Sequence, residues 1–368
     1  MKITVKKSEI CEAVSNVQRA VSSKSNLAAL EGILIKTKNG RLCLSGYDME
    51  LGIITDIEAQ TEEPGSIILN ARLFGDILRR LPEETVKIET DDKFMTNIFS
   101  GLSEFSILGI NAEEFPEMPE VNEETNITLE AEMLKNMING VIYAVALDDA
   151  KPVQKGVLFE ITSQKLKLIA VDGYRLAIRS EPIKDGGDDV KFVVPGKTLN
   201  EMIKLVSEDE NNIEIKLGRR HIIFKIKNFT VISRLLDGDF LDYRSAVSFE
   251  HSSEVTVNTG NLFSSVERIS LLITDKLKSP VRCTFEDDTV KLRCTTAVGK
   301  AFDTLPCETN GERLEIGFNN RYFLDALKAC EGDKIKIQLN GPTAPIKIVP
   351  LEGESFLYLV LPVRLKTE

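Results

Sequence analysis

The chain has 368 residues, with 42% hydrophobic and 28% charged content and a formal net charge of −11. That is enough apolar material for two or three soluble domains, and no run approaches the roughly 18 apolar residues of a membrane span. The N-terminus "MKITVKKSEI" has no signal-like apolar region, so a cytoplasmic location is expected. Six scattered cysteines without a C-x-x-C pair, and histidine only at His221 and His251, argue against a zinc site and read as buried, reduced thiols.

In chain order, "ITVKKSEICEAVSNVQRAVSS" from Ile3 opens with an alternating strand and continues as an apolar-periodic helix. "ILIKTKNGRLCLSGYD" follows, with Asn39-Gly40 between alternating runs, a hairpin signal. "ARLFGDILRRL" (71–81) reads as an amphipathic helix with Leu73, Phe74, Ile77, Leu78 and Leu81 on its apolar face. "TVKIET" is the strand after it. The same order then recurs. "ITLEAEMLKNMINGVIYAVAL" from Ile127 and "VTVNTGNLFSSVERISLLITD" from Val255 repeat the opening strand and long helix. "VLFEITSQKLKLIAVD" and "VRCTFEDDTVKLRCTT" repeat the strand pair, and "GKTLNEMIKLV" (196–206) and "NRYFLDALKAC" (320–330) repeat the second helix. "NIEIKL" and "KIKIQL" close the units. Each unit reads β-α-β-β-β-α-β-β, with polar connectors at 113–126 and 247–254. The expected domains are 1–122, 123–250 and 251–368, in an α+β fold of three repeated domains.

The second helices share a charge pattern. Arg72 and Arg79 correspond to Lys197 and Lys204, and to Arg321 and Lys328. Each pair stands seven residues apart, about 10 Å of helix rise. That length spans several phosphates of a duplex, which carries one charge per about 1.7 Å of axis. Lys24 after the first helix, and Arg268 with Lys276 in the third unit, extend the set, while Asp76 weakens the first copy. The pattern suits backbone contact without sequence preference. No helix-turn-helix or zinc finger is present, and without Trp, stacking on single strands has little support. The acidic surplus argues against DNA wrapped over the outside.

Two rival readings draw on other residues. Asp237, Asp239 and Asp242, or Asp148 and Asp149, are carboxylates of the kind that bind Mg²⁺ in an enzyme, but no P-loop, EF-hand or catalytic histidine pattern accompanies them. A structural repeat protein that binds no DNA leaves the three basic pairs unexplained.

Four segments in order resemble the bacterial DNA polymerase III β subunit family, the sliding clamps: "GVLFEITSQKLKLIAVDGYRLAIRS" (156–180), "FVVPGKTLNEM" (192–202), "FNNRYFLDAL" (318–327) and "LVLPVRL" (359–365). The resemblance implies a non-catalytic processivity factor without cofactor or metal. Two three-domain subunits would join head to tail in a ring around double-stranded DNA, helices lining the inner face and antiparallel sheets outside. Lys24, Arg72, Arg79, Lys197, Lys204, Arg268, Arg321 and Lys328 would then face DNA. The implied partners are the replicative polymerase, the clamp loader and repair proteins, held by short peptides in a pocket. That pocket would include Gln154, Val171, Gly173, Tyr174, Arg175, Leu176, Leu241, Val247, Pro345, Val360, Leu361, Pro362, Val363 and Arg364. By position, Phe105 and Ile107 would meet Leu272 and Ile273 at the dimer seam. The sequence departs from the family at Gly196, where a basic residue is usual, and at Leu241 and Ser245, where Pro and Arg are common. It also lacks aromatics near 148–154 and carries the short tail Lys366-Thr367-Glu368.

Overall fold

A computed structural model describes residues 1–121, 125–148, 151–184, 189–274 and 279–365. Asp149, Lys276, the tail 366–368 and the expected boundary at 122–123 lie wholly or partly outside the described residues.

Seven α-helices are described: α1 (Lys7–Val17), α2 (Ala71–Arg80), α3 (Ala131–Asn139), α4 (Gly196–Met202), α5 (Tyr243–Val247), α6 (Thr259–Ser270) and α7 (Asn320–Lys328). Several start at an asparagine whose side chain satisfies a free amide of the first turn. Asn70 accepts from the Leu73 amide at 3.0 Å, Asn258 from Asn261 at 2.9 Å, and Asn319 from Arg321 at 3.0 Å. Two expected long helices are short. α3 stops at Asn139, before Gly140, and α4 stops at Met202, so Lys204 lies in the turn beyond it. Gly140 is held by close neighbours, since a Cβ there would lie 2.9 Å from the Arg179 side chain.

Each repeat also has one strand more after its second helix than the expected order, and before that helix one more in the second and third repeats and two in the first, where Gln60–Glu63 is also a strand. The other added strands are Ser66–Asn70, Val190–Pro195 and Leu314–Phe318 before it, and Ser103–Leu108, Phe229–Arg234 and Phe356–Val360 at the end. They are short apolar runs whose alternation is too brief to read alone.

The described chain divides into two compact units, Met1–Glu132 with Lys197–Leu235, and Met133–Gly196 with Leu236–Glu368. The cut differs from the threefold repeat because strands of neighbouring repeats share sheets. In the first unit an 8-stranded antiparallel sheet continues through Phe229–Ser233, which pairs with Leu51–Thr55. A 5-stranded sheet of the same unit ends in Ser103–Leu108, which pairs on one side with Met95–Ser100. α1 packs on α2 here, burying Ile10, Val14, Val17, Phe74, Ile77 and Leu78. Leu73, expected on that buried face, is 48% exposed instead. In the second unit a 12-stranded sheet continues through Arg175–Arg179, which pairs with Phe356–Val360. α6 packs on α7 on this sheet side.

One-face burial holds for strands such as Lys2–Lys6 but fails for Gly156–Ile161, which is buried throughout. The segment 236–249 supplies the second cover. Leu236, Phe240, Tyr243, Val247 and Phe249 pack on a cluster containing Leu158, Ile169, Val171, Leu176 and Ile178.

Candidate functional sites

All eight basic residues singled out by sequence are exposed. Four are already ion-paired. Arg79 meets Asp76 at 2.8 Å, Lys204 meets Glu201 at 2.9 Å and Arg268 meets Asp303 at 2.6 Å, while Lys197 pairs with Asp48. Among the described residues no carboxylate pairs with Lys24, Arg72, Arg321 or Lys328. Glu201 also receives Arg19 at 3.2 Å, so α4 is tied to the end of the first helix. The Asp303 carboxyl is held below the usual range by hydrogen bonds from Ser265 and Arg268, which outweigh burial. Half of the cationic set is therefore partly neutralised, which weakens grip on phosphates without removing the positive side chains.

The second unit contains a cleft of about 770 Å³. Its floor begins at the turn after Lys165–Val171. Asp172 Oδ1 accepts from the Tyr174 amide at 2.9 Å and the Arg175 amide at 3.1 Å, and Gly173 holds φ +89°, which favours glycine. Arg175 is then driven inward. Its Nε donates to Asp172 at 2.9 Å and its Nη1 to Asp325 of α7 at 2.5 Å. The guanidinium lies 4.5 Å from the Tyr322 ring centroid and 5.2 Å from that of Tyr143. Tyr174 stacks on Tyr322 with centroids 5.8 Å apart. Burial pushes the Tyr143 phenol well above its usual pKa, so it stays neutral.

Two of the Arg175 donors are engaged inside the protein, and it acts first as a pin of the cleft wall. Tyr174 and Val363 line the cleft with it, and the Leu361 amide donates to the Tyr174 carbonyl at 2.9 Å. Leu241, Leu361, Val363 and Arg364 are exposed, as is Gly173, while Pro345, Pro362 and Val247 are half-buried. Four expected pocket residues are not open to a partner. Val171 and Leu176 are buried beneath 236–249, Val360 is buried in the sheet, and Gln154 is buried with its carbonyl accepting from Ala146 at 2.9 Å.

Two residues expected in other roles also line the cleft. Ile273, expected at a dimer seam, lines the cleft, and so does Arg321. Phe105 is exposed and Ile107 and Leu272 are half-buried, with Leu102 and Leu108 exposed beside the first two. Sequence reasoning missed Tyr322 and Asp325. Tyr322 precedes the buried Phe323, so helical periodicity marked only its neighbour; only the fold brings Asp325 to Arg175.

Beside the apolar cluster under 236–249 lies a polar one. Tyr243 donates to Glu160 at 2.7 Å, and Lys191 pairs with Glu160 at 2.8 Å. Burial and the hydrogen bond to Glu160 push the Tyr243 phenol up to about 12. Burial works to raise the Glu160 carboxyl, but hydrogen bonds from Lys191 and Tyr243 prevail and lower it. Asp242, one of the candidate Mg²⁺ ligands, accepts from the Arg244 amide at the start of α5. Among the described residues no group of three or more His, Cys, Asp or Glu is placed to hold a metal ion.

Comparison with known proteins decides the family. Residues 1–119 match the DNA polymerase III beta subunit N-terminal domain, 128–242 its central domain and 244–364 its C-terminal domain. The chain belongs to the DNA polymerase III beta subunit family. It is 32% identical to the beta sliding clamp of Bacillus subtilis, over 99% of this chain and 100% of that one. It is 30% identical to the beta sliding clamp of Staphylococcus aureus, over 99% of each. Among solved structures, the B. subtilis DNA polymerase sliding clamp superposes with a TM-score of 0.95 at 31% identity, over 100% of both chains. A putative DNA polymerase III beta subunit from Eubacterium rectale gives 0.94 at 35% identity, over 99% of each. The sliding clamp of Pseudomonas aeruginosa bound to griselimycin gives 0.92 at 26% identity, over 99% of this chain and 100% of that one. The fold is thus three repeated clamp domains, and the chain is a DNA sliding clamp. No described helix is long and apolar enough to cross a membrane.

Proposed function

We propose that two copies of this chain close head to tail into a ring around duplex DNA, and that the ring tethers the replicative polymerase, the clamp loader and repair proteins through short peptides. The protein performs no catalysis itself and works in the cytoplasm. The domains run 1–122, 123–250 and 251–368. Lys24, Arg72, Arg79, Lys197, Lys204, Arg268, Arg321 and Lys328 turn toward the duplex. Four of them are paired to acids, so contacts are weak and exchangeable, and retention comes from closure of the ring rather than from affinity. Phe105 and Ile107 meet Leu272 and Ile273 at the seam. An apolar strand paired on one side only is a ready template for a second chain.

The observation that best supports this reading is the match of all three repeats, in order, across 1–364. The partner site is the cleft of Tyr174, Arg175, Tyr322 and Val363 with the neighbouring apolar cluster. It combines aromatic faces, apolar walls and fixed polar groups, as peptide and small-molecule sites do.

A primed, nicked circle tests the tether. The protein, loaded by a clamp loader, is expected to stay on the circle and to be lost once the circle is linearised; equal retention on both forms refutes the ring. Replacing Arg79, Lys204 and Lys328 together by Glu is expected to impair loading and retention with the dimer intact. Removing 361–368 is expected to abolish binding of labelled griselimycin, read by fluorescence anisotropy, while sparing the ring. Unchanged griselimycin affinity would move the partner site elsewhere.

A further inference from the structure

The last described residues form a strap across two repeats. The Leu361 amide donates to the Tyr174 carbonyl at 2.9 Å, and the Val363 amide donates to the Gly317 carbonyl at 2.8 Å. Pro362 stands between them and has no N–H to satisfy, so every backbone donor from 361 to 363 is accounted for. One end of the strap is thus tied to the Asp172-Gly173-Tyr174 turn. The other lies on Leu314–Phe318, which pairs with Val281–Glu286 along its opposite edge. Between these ties Leu361 and Val363 keep exposed side chains, and Val363 forms part of the cleft wall.

The strap can lie this close only because residue 317 has no side chain. A Cβ there would meet Leu365 Cδ2 at 2.5 Å and the Val363 carbonyl oxygen at 2.8 Å. Both separations are shorter than packed atoms tolerate, and the second involves backbone that cannot rotate away. Gly317 is not among the glycines with positive φ, so its conformation does not call for glycine. The close passage of the strap is the structural demand that remains.

We propose that Gly317 is a positioning residue for the partner cleft: its bare Cα seats the C-terminal strap and so holds Val363 and Leu361 where a bound peptide meets them. This rests on the peptide-site reading above. It acts at a distance from the turn at Gly173, which shapes the other wall of the cleft.

The test uses full-length Gly317→Ala with labelled griselimycin as probe. Griselimycin affinity is expected to fall about tenfold, within what an overpacked contact costs. Amide exchange at Val363 is expected to accelerate, and retention on circular DNA to stay at the parent level. Leu365→Ala removes the nearer clash, so the loss caused by Gly317→Ala is expected to be smaller in a Leu365→Ala background than in the parent. Parent-like griselimycin binding by Gly317→Ala overturns the proposal. So does a loss of binding and retention together with a lower melting temperature and no faster exchange at Val363, which would mark general damage. A parent protein that fails to bind griselimycin, or keeps binding it without 361–368, overturns instead the peptide-site reading on which the proposal stands.

Discussion

Arg175→Ala probes the wall of the cleft most directly. The Arg175 side chain is 8% exposed and holds two carboxylates, Asp172 at 2.9 Å and Asp325 at 2.5 Å. Removing one member of a buried ion pair costs ~3–5 kcal/mol, because the opposite charge is left without a partner. Asp172 is 13% and Asp325 32% exposed, so water recovers part of that loss and the lower limit applies, about 3 kcal/mol. Loss of the guanidinium from the faces of Tyr322 and Tyr143 adds about 0.5–1 kcal/mol. Urea denaturation at fixed protein concentration reads the sum as a shift in midpoint at unchanged slope. With a slope of ~3 kcal/mol/M, the midpoint is expected to fall by about 1 M. Arg175→Lys keeps the charge but cannot hold two carboxylates in one plane, and is expected to recover about half of the loss. A cycle with Asp325→Asn is expected to give a coupling of about 1–2 kcal/mol. A loss under ~1 kcal/mol for Arg175→Ala, or a coupling near zero, would mean the pairs behave as exposed ones and do not hold the wall.

Three further outcomes follow from the same geometry. Asp76→Asn releases Arg79 and Arg80, which Asp76 holds at 2.8 and 3.3 Å, and is expected to tighten duplex binding about two- to threefold at low salt and not at high salt. A salt titration followed by anisotropy checks it, and unchanged affinity counts against the assigned DNA face. Gly173→Ala is expected to cost about 1–2 kcal/mol. No atom lies within 4 Å of a Cβ at that position, so a melting curve there reports the φ of +89° alone. The Glu160 carboxyl has a folded pKa below its ordinary 4.5, so its contribution to stability is complete above that value and is lost as pH falls through the lowered one. Melting temperatures from pH 6 to pH 3 should therefore fall more steeply for the parent than for Glu160→Gln; parallel curves would remove Glu160 from the acid response.

Much of the repeat was legible because its signals are local. The opening strands alternate, and the second helices carry an apolar stripe. The basic residues were legible as exposed because charge is costly to bury. Helix ends were less so. α3 and α4 look periodic beyond Asn139 and Met202, but Gly140 and the turn after Met202 end them. Leu73 reads as a core residue by spacing and is half exposed, because periodicity names a face and not what covers it.

The candidate site divided along the same line. "VDGYRLA" marked a turn, and Gly173 and Tyr174 took the exposed places that a turn provides. Arg175, Leu176 and Val171 were turned inward by partners far away in the chain, Asp325 and the segment 236–249 among them. Sequence alone determined the strands and helices of the threefold repeat and the cationic pairs, since each is written within a few neighbouring residues. The tertiary structure decided which strands of adjacent repeats share a sheet, which arginine is buried and where the C-terminal strap lies. Those outcomes depend on groups far apart in the chain, Arg175 and Asp325 at 150 residues among them, meeting at hydrogen-bond distance, and no local pattern encodes such a meeting.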